Sequence, residues 1–227
     1  MQGVRVVEVA SWTFVPAAGA VMAEGGADVL KIEHPVGGDP QRGLISMGLV
    51  PSGKSGANFF IEQPNHGKRS VAINLQHPEG REVLLELCKT ADVFLTNWLP
   101  GPRSRARIDV DDIRAVNPNI IYVRGHGQGV KGPDNNKGGY DGSAFYARSG
   151  VLASLIPRDT SEPFGPTQPP AFGDLPVPGR AARSADTATY RVPDSRLAEL
   201  ATIEFVPPRG LEPWQAAAVL REEVDDD

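Results

Sequence analysis

Two short apolar runs, Val4-Arg-Val-Val-Glu-Val9 and Ala27-Asp-Val-Leu-Lys-Ile32, flank Pro16-Ala-Ala-Gly-Ala-Val-Met-Ala-Glu24 and the stop Gly25-Gly26. The runs are rich in β-branched residues, as in strands buried on both faces. The segment between them reads as a helix, with Pro16 in its first turn and paired glycines at its end. This is a β-α-β unit.

The same alternation continues outward. Ser70 to Leu75 reads as a strand. Pro78 to Thr90 reads as a helix with Leu84, Leu85, Leu87 and Cys88 inward, and Ala91 to Thr96 as the next strand. Val110 to Val116 reads as a short acidic-capped helix, Asn119 to Arg124 as a strand, and Tyr140 to Leu155 as another helix. Strands separated by helices predict an α/β fold with an open, mostly parallel, Rossmann-like sheet, carried by residues 1–174. Residues 175–227 differ: they hold six Pro, ten Asp plus Glu, six Arg and no Lys, and are expected to form a divergent, partly disordered tail. Within that tail Leu197 to Phe205 and Trp214 to Val224 are expected as short helices.

Composition narrows the function. The chain has 227 residues, 40% hydrophobic and 22% charged with a net charge of -5, which describes a globular protein with ample material for a core. The absence of a basic excess argues against nucleic acid as a partner. No run approaches a membrane span, and the N-terminus enters a strand directly, so a cytoplasmic protein is expected. Cys88 is the single cysteine, which excludes an intrachain disulfide and a cysteine-based zinc site.

Among the motifs, Gly48-Leu-Val-Pro-Ser-Gly53-Lys54-Ser55 matches a phosphate-binding loop literally, yet no strong strand precedes it and Pro64 soon breaks the helix that such a loop should open. The first strand lacks the glycine fingerprint of a dinucleotide site. His34, His66, His77 and His126 show no metal-ligand spacing, so no metal site is expected. Cys88 reads as core, and Asp92 and Asp141 as caps. Four loops stand apart: His34-Pro-Val-Gly-Gly-Asp39-Pro-Gln-Arg42, Asn65-His-Gly-Lys68-Arg69-Ser70, Asn97-Trp98-Leu-Pro100-Gly101 and Gly125-His-Gly-Gln-Gly129. All follow strands or lead into them with glycine, cations, amides and aromatics. At the carboxyl edge of an open α/β sheet such groups suit a nucleotide-like anion with phosphates and a base. Each alone also fits an ordinary turn.

These segments, in this order, resemble the family III CoA-transferases, a group that includes formyl-CoA transferase and shares its fold with α-methylacyl-CoA racemase. The resemblance rests on Gly3 to Val9, Gly26-Ala-Asp-Val-Leu-Lys-Ile-Glu33-His-Pro35 with Gly38-Asp39, Asn65 to Ser70, Asn97 to Gly101, Asn117 to Tyr122, Gly125 to Gly129, Gly139-Tyr140-Asp141 and Gly173-Asp174. It implies transfer of coenzyme A between an acyl-CoA donor and a carboxylic acid acceptor, with coenzyme A as substrate and no tightly bound cofactor. It implies Asp174 as the nucleophile; read as residues alone, an Asp after Gly173 is more often a turn aspartate than a catalytic one, and it is the resemblance that reverses this. It further implies contacts to coenzyme A or substrate from Thr13, Phe14, His34, Lys68, Asn97, Trp98, Arg105, Lys137 and Tyr140. His34 stands where the family often has arginine. Tyr140 stands where the racemase branch has histidine, which favours transfer over racemisation. The family forms interlocked homodimers through segments not recognisable after Leu175, so impaired activity, a noncatalytic CoA-binding remnant, a racemase-like isomerase and a phosphate-loop nucleotide binder remain alternatives.

Overall fold

The computed structural model describes residues 1–49, 53, 56–140, 143–144 and 148, and the backbone of Thr202–Val206. Asp174, Asp141, Lys54, Ser55, most of the helix expected over Tyr140 to Leu155 and all of that over Trp214 to Val224 lie outside the described residues. The described chain divides into two units, the second beginning at His126.

The first unit is built on a parallel sheet. Strands β1 (Arg5–Val9), β2 (Asp28–Glu33), β3 (Arg69–Ala72), β4 (Val93–Thr96) and β5 (Ile121–His126) lie in the order β3-β2-β1-β4-β5, each pair parallel, with β6 (Thr202–Val206) beyond β5. The expected helix over Leu197 to Phe205 is therefore corrected to a strand from Thr202 onward, residues 197–201 lying outside the described residues. Thr202, Ile203, Phe205 and Val206 favour extended backbone, and Pro207-Pro208 cannot continue a helix.

Because side chains alternate along a strand, each face of the sheet has its own core. On one face Val6, Ala10, Val29, Val93 and Leu95 pack with Val15 of α1 (Phe14–Glu24). On the other, Val7, Val9, Phe94 and Tyr122 pack with Leu84 and Cys88 of α4 (Pro78–Cys88) and Ile113 of α6 (Val110–Arg114). Phe94 and Tyr122, register partners on β4 and β5, stack at 5.0 Å, and the Tyr122 hydroxyl donates to the Ile108 carbonyl. Burial pushes the Cys88 thiol up to about 12, as befits a core residue and not a nucleophile.

Short helices fill the loops: α2 (Gly43–Ser46), α3 (Phe59–Glu62) and α5 (Pro100–Ala106). No apolar period in the chain announces them. Helix α5 begins at Pro100, whose fixed φ suits a first helical residue, and ends on Arg107 in the left-handed region at φ 53°. Gly48 follows α2 and not a strand, so the literal phosphate-loop motif lacks its strand-to-loop entry.

Candidate active site at the switch point of the sheet

The strand order reverses direction between β1 and β4: β2 and β3 extend to one side of β1, and β4 and β5 to the other. In open α/β sheets the crevice outside the carboxyl ends at such a reversal is the usual ligand site. Here the loops leaving β1 and β4 are tied together across it. Asn97 Nδ2 donates to the Ser11 carbonyl at 2.6 Å, and the Ser11 amide donates to Asn97 Oδ1 at 3.0 Å. The adjacent Trp12 takes φ 68°, a conformation L-residues rarely adopt, and its amide donates to Asp39 Oδ1 at 3.0 Å. Thr13, next along, accepts from Gln41 Nε2 at 2.9 Å. Three consecutive residues at the mouth of the crevice are thus each held by a different side chain.

Beneath this loop lies a buried ion cluster. Glu8 and Lys31 are register partners in the middle of β1 and β2, on the face that α1 covers. The Lys31 ammonium lies 3.2 Å from Glu8 Oε1 and 2.9 Å from Asp39 Oδ2, and donates to the Ala10 carbonyl at 3.1 Å. Lys68 reaches Glu8 Oε2 at 2.7 Å, the Pro16 carbonyl at 2.6 Å and Asn65 Oδ1 at 3.3 Å. Burial raises the Glu8 carboxyl, opposed by the two ammonium groups, and burial pulls Lys68 down to about 8 against the attraction of Glu8. Gly19 of α1 sits directly above: a Cβ there would fall 2.0 Å from Glu8 Oε2, so only glycine lets the helix close over the cluster.

Glu33, at the end of β2, holds the following loop. Its two oxygens accept from Arg42 Nη2 at 2.7 Å and Nε at 2.8 Å, from Ser70 Oγ at 2.8 Å and from the Asp39 amide at 2.9 Å. The Arg42 guanidinium, with Ser70 and the Asp39 amide, holds this carboxyl down to about 2, from an ordinary 4.5. A lowered folded-state value means that the unfolded chain binds more protons below 4.5, so this stabilisation is present above that pH and is lost as pH falls toward 2. Between about pH 6 and about pH 3 the unfolding free energy of Glu33→Gln is expected to fall by about 2 kcal/mol less than that of the parent, measured by urea denaturation.

The residues singled out by sequence distribute unevenly. Thr13, Phe14, Asn97 and Trp98 come together at the β1 and β4 edge, with Asn97 engaged by Ser11 and Trp98 packed on the core of the α4 face. Lys68 lies under α1 with its side chain 2% exposed and its ammonium already bonded to three oxygens, so the structure does not bring that charge to the crevice. His34 turns Nδ1 back on the Val36 and Gly37 amides. Arg105 is exposed on α5, with a guanidinium nitrogen over Gly101.

In the second unit Lys137 pairs with Asp134 at 2.8 Å, and Arg148 joins the same carboxylate at 2.5 Å. Tyr140 is more than half exposed. Gly127 and Gly139 touch backbone to backbone, each closer than a Cβ would permit.

Sequence reading passed over Glu8, Lys31, Asp39, Gln41 and Arg103 as functional residues. Arg103, 3% exposed, bonds Asp109 and the Trp98 carbonyl, each at 2.7 Å, and so fixes the loop after β4. A signal for the first two was present: Glu8 between Val7 and Val9, and Lys31 between Leu30 and Ile32, are charges set among apolar strand residues, and a charge buried there requires a partner.

Comparison with known proteins agrees with this geometry. Residues 1–190 match the model of CoA-transferase family III. The chain is 36% identical over 162 residues to the cinnamoyl-CoA:phenyllactate CoA-transferase of Clostridium sporogenes, covering 71% of this chain and 39% of that protein. It is 33% identical over 159 residues to the succinyl-CoA:glutarate CoA-transferase of Mus musculus, covering 70% of this chain and 35% of that protein. The crystal structure of a CAIB/BAIF family protein from Brucella suis superposes with a TM-score of 0.61 at 31% identity, covering 72% of this chain and 42% of that one. The orthorhombic form of Rv3272 from Mycobacterium tuberculosis gives 0.63 at 30%, covering 72% and 44%. The chain thus spans about two fifths of the length of the relatives it matches. With the family model matched over most of its length and the parallel sheet shared with these structures, the chain belongs to CoA-transferase family III.

Proposed function

We propose that this chain transfers coenzyme A from an acyl-CoA to a carboxylic acid, with Asp174 as the covalent carrier. The observation that carries the reading is the family match over residues 1–190, which includes Gly173-Asp174, joined to a sheet whose switch point holds Thr13, Phe14, Asn97 and Trp98 at one edge. The proposed chemistry balances without a redox or proton partner. The Asp174 carboxylate adds to the thioester carbonyl, the C–S bond breaks and the CoA thiolate leaves, giving a mixed anhydride. The thiolate then attacks the aspartyl carbonyl and expels the donor carboxylate, leaving an aspartyl-CoA thioester. The acceptor carboxylate attacks that thioester, and the returning thiolate completes the new acyl-CoA while regenerating Asp174.

In this reading Arg105, Lys137 and the outward side of His34 serve the phosphates and base of coenzyme A, and Tyr140 lines the substrate. Lys68 acts through Glu8 to support the β1 loop.

The test is chemical trapping. Incubation with an acyl-CoA followed by hydroxylamine is expected to convert the Asp174 side chain into a hydroxamate found by mass spectrometry on the peptide containing it. Coenzyme A binding without any adduct would instead identify a noncatalytic CoA-binding protein.

A further inference from the structure

We infer that Gln41 is a positioning residue that fixes the Thr13 hydroxyl as a hydrogen-bond donor to the acyl carbonyl oxygen of a bound thioester. This rests on the CoA-transfer reading and extends it to the acyl end of the substrate.

The chain of observations starts at the helix. Thr13 is the N-cap of α1, where a threonine ordinarily accepts from the backbone amide of the second or third helical residue. The third residue is Pro16, which has no N–H, and the Thr13 hydroxyl makes no capping bond. Its oxygen accepts instead from Gln41 Nε2, whose other proton goes to the Phe60 carbonyl at 2.7 Å. That second contact settles the orientation of the amide, because a carbonyl can only accept and so must face the nitrogen of Gln41 and not its oxygen. Gln41 therefore donates to Thr13 and cannot accept from it. Among the described residues the Thr13 hydroxyl has no other partner, so its own proton is free to be donated, and the residue is partly open to solvent.

Gln41 is held as firmly as a side chain can be. The residue is 1% exposed, its backbone N–H donates to Asp39 Oδ1 at 3.0 Å, and the same oxygen accepts from the backbone N–H of the left-handed Trp12. Among the described residues its own Oε1 is buried with no hydrogen-bond partner, an arrangement that ordinarily carries a desolvation cost. A strained residue, an unsatisfied buried acceptor and a cap that does not cap all converge on one hydroxyl at the carboxyl edge of the sheet. Such local departures from low energy concentrate at functional sites. An oxygen that gains negative charge when a thioester carbonyl is attacked is the ligand atom a fixed neutral donor suits.

The experiment uses the full chain. In Asp174→Asn, which retains the substrate unreacted, the infrared stretch of a ¹³C-labelled acyl-CoA carbonyl is expected to lie below its value in water. Thr13→Val and Gln41→Met are each expected to abolish that shift, whereas Thr13→Ser keeps it. With Asp174 intact, Thr13→Val is expected to lower kcat roughly 10²-fold and Gln41→Met about 10-fold, with affinity for free coenzyme A unchanged and the double variant no worse than Thr13→Val alone. A carbonyl shift that survives Thr13→Val, in a chain that still binds acyl-CoA, overturns the inference while leaving the transfer reading intact. Failure of the parent to bind coenzyme A at all overturns both. Since Thr13 is partly exposed, Thr13→Val supplies the answer even if Gln41→Met does not fold.

Discussion

Asp174→Asn is expected to reduce CoA transfer by roughly 10⁴-fold or more, with binding of free coenzyme A and unfolding midpoint preserved. The amide has nearly the size of the carboxylate and none of its nucleophilicity, so the first covalent step is lost while the site keeps its shape. Loss of one nucleophile in a double-displacement route removes both half-reactions together. The measurement is turnover of an acyl-CoA with its acceptor acid, beside isotope exchange between acyl-CoA and the free donor acid, which needs only the aspartyl intermediate. Undiminished turnover in Asp174→Asn, with equal folding, would falsify the aspartyl mechanism. A retained overall rate with loss of exchange would do so equally, since a direct attack of acceptor on thioester needs no aspartyl intermediate.

Lys31→Met is expected to destabilise the fold by about 3–5 kcal/mol in urea denaturation. The methionine fills the space of the lysine stem, so the loss reports charge and not a cavity. Without the ammonium, Asp39 Oδ2 loses its counterion 2.9 Å away and Glu8, which is fully buried, keeps only Lys68. An isolated buried carboxylate is far costlier than the pair was favourable. Lys89→Met supplies the contrast: its bond to Glu86 is exposed at both ends, and its removal is expected to change stability by less than about 0.5 kcal/mol. Equal effects at the two lysines would show that the cluster carries no special weight. Because Asp39 also holds Trp12 and Gln41, the Lys31 variant is further expected to loosen the β1 loop, seen as faster hydrogen exchange at the Trp12 amide.

The sheet was readable because its strands are local, apolar and β-branched: β1, β2, β4 and β5 fall within about two residues of their expected limits, and α4 begins at the expected Pro78. The elements that escaped are α2, α3 and α5, each too short to show a helical period, and β6, whose five residues sit in a polar, proline-rich context.

The site divides the same way. Thr13, Phe14, Asn97 and Trp98 stood out because their loops follow strands. The roles of Glu8, Lys31, Asp39 and Gln41 depend mostly on partners 19 to 60 residues apart, the Lys31–Asp39 pair excepted, and no short sequence window joins the whole set.

What the sequence alone determined is the alternation of strand and helix, the ordered loops and therefore the family, since these follow from periodicities and turn residues acting over a few positions. Only the tertiary structure decided that Lys68 faces inward, that Asn97 clips Ser11 across the switch point and that Gln41 turns the Thr13 hydroxyl into a donor. Those outcomes depend on which buried charges and amides meet when distant strands pair, and a buried polar group takes its role from the partner that satisfies it.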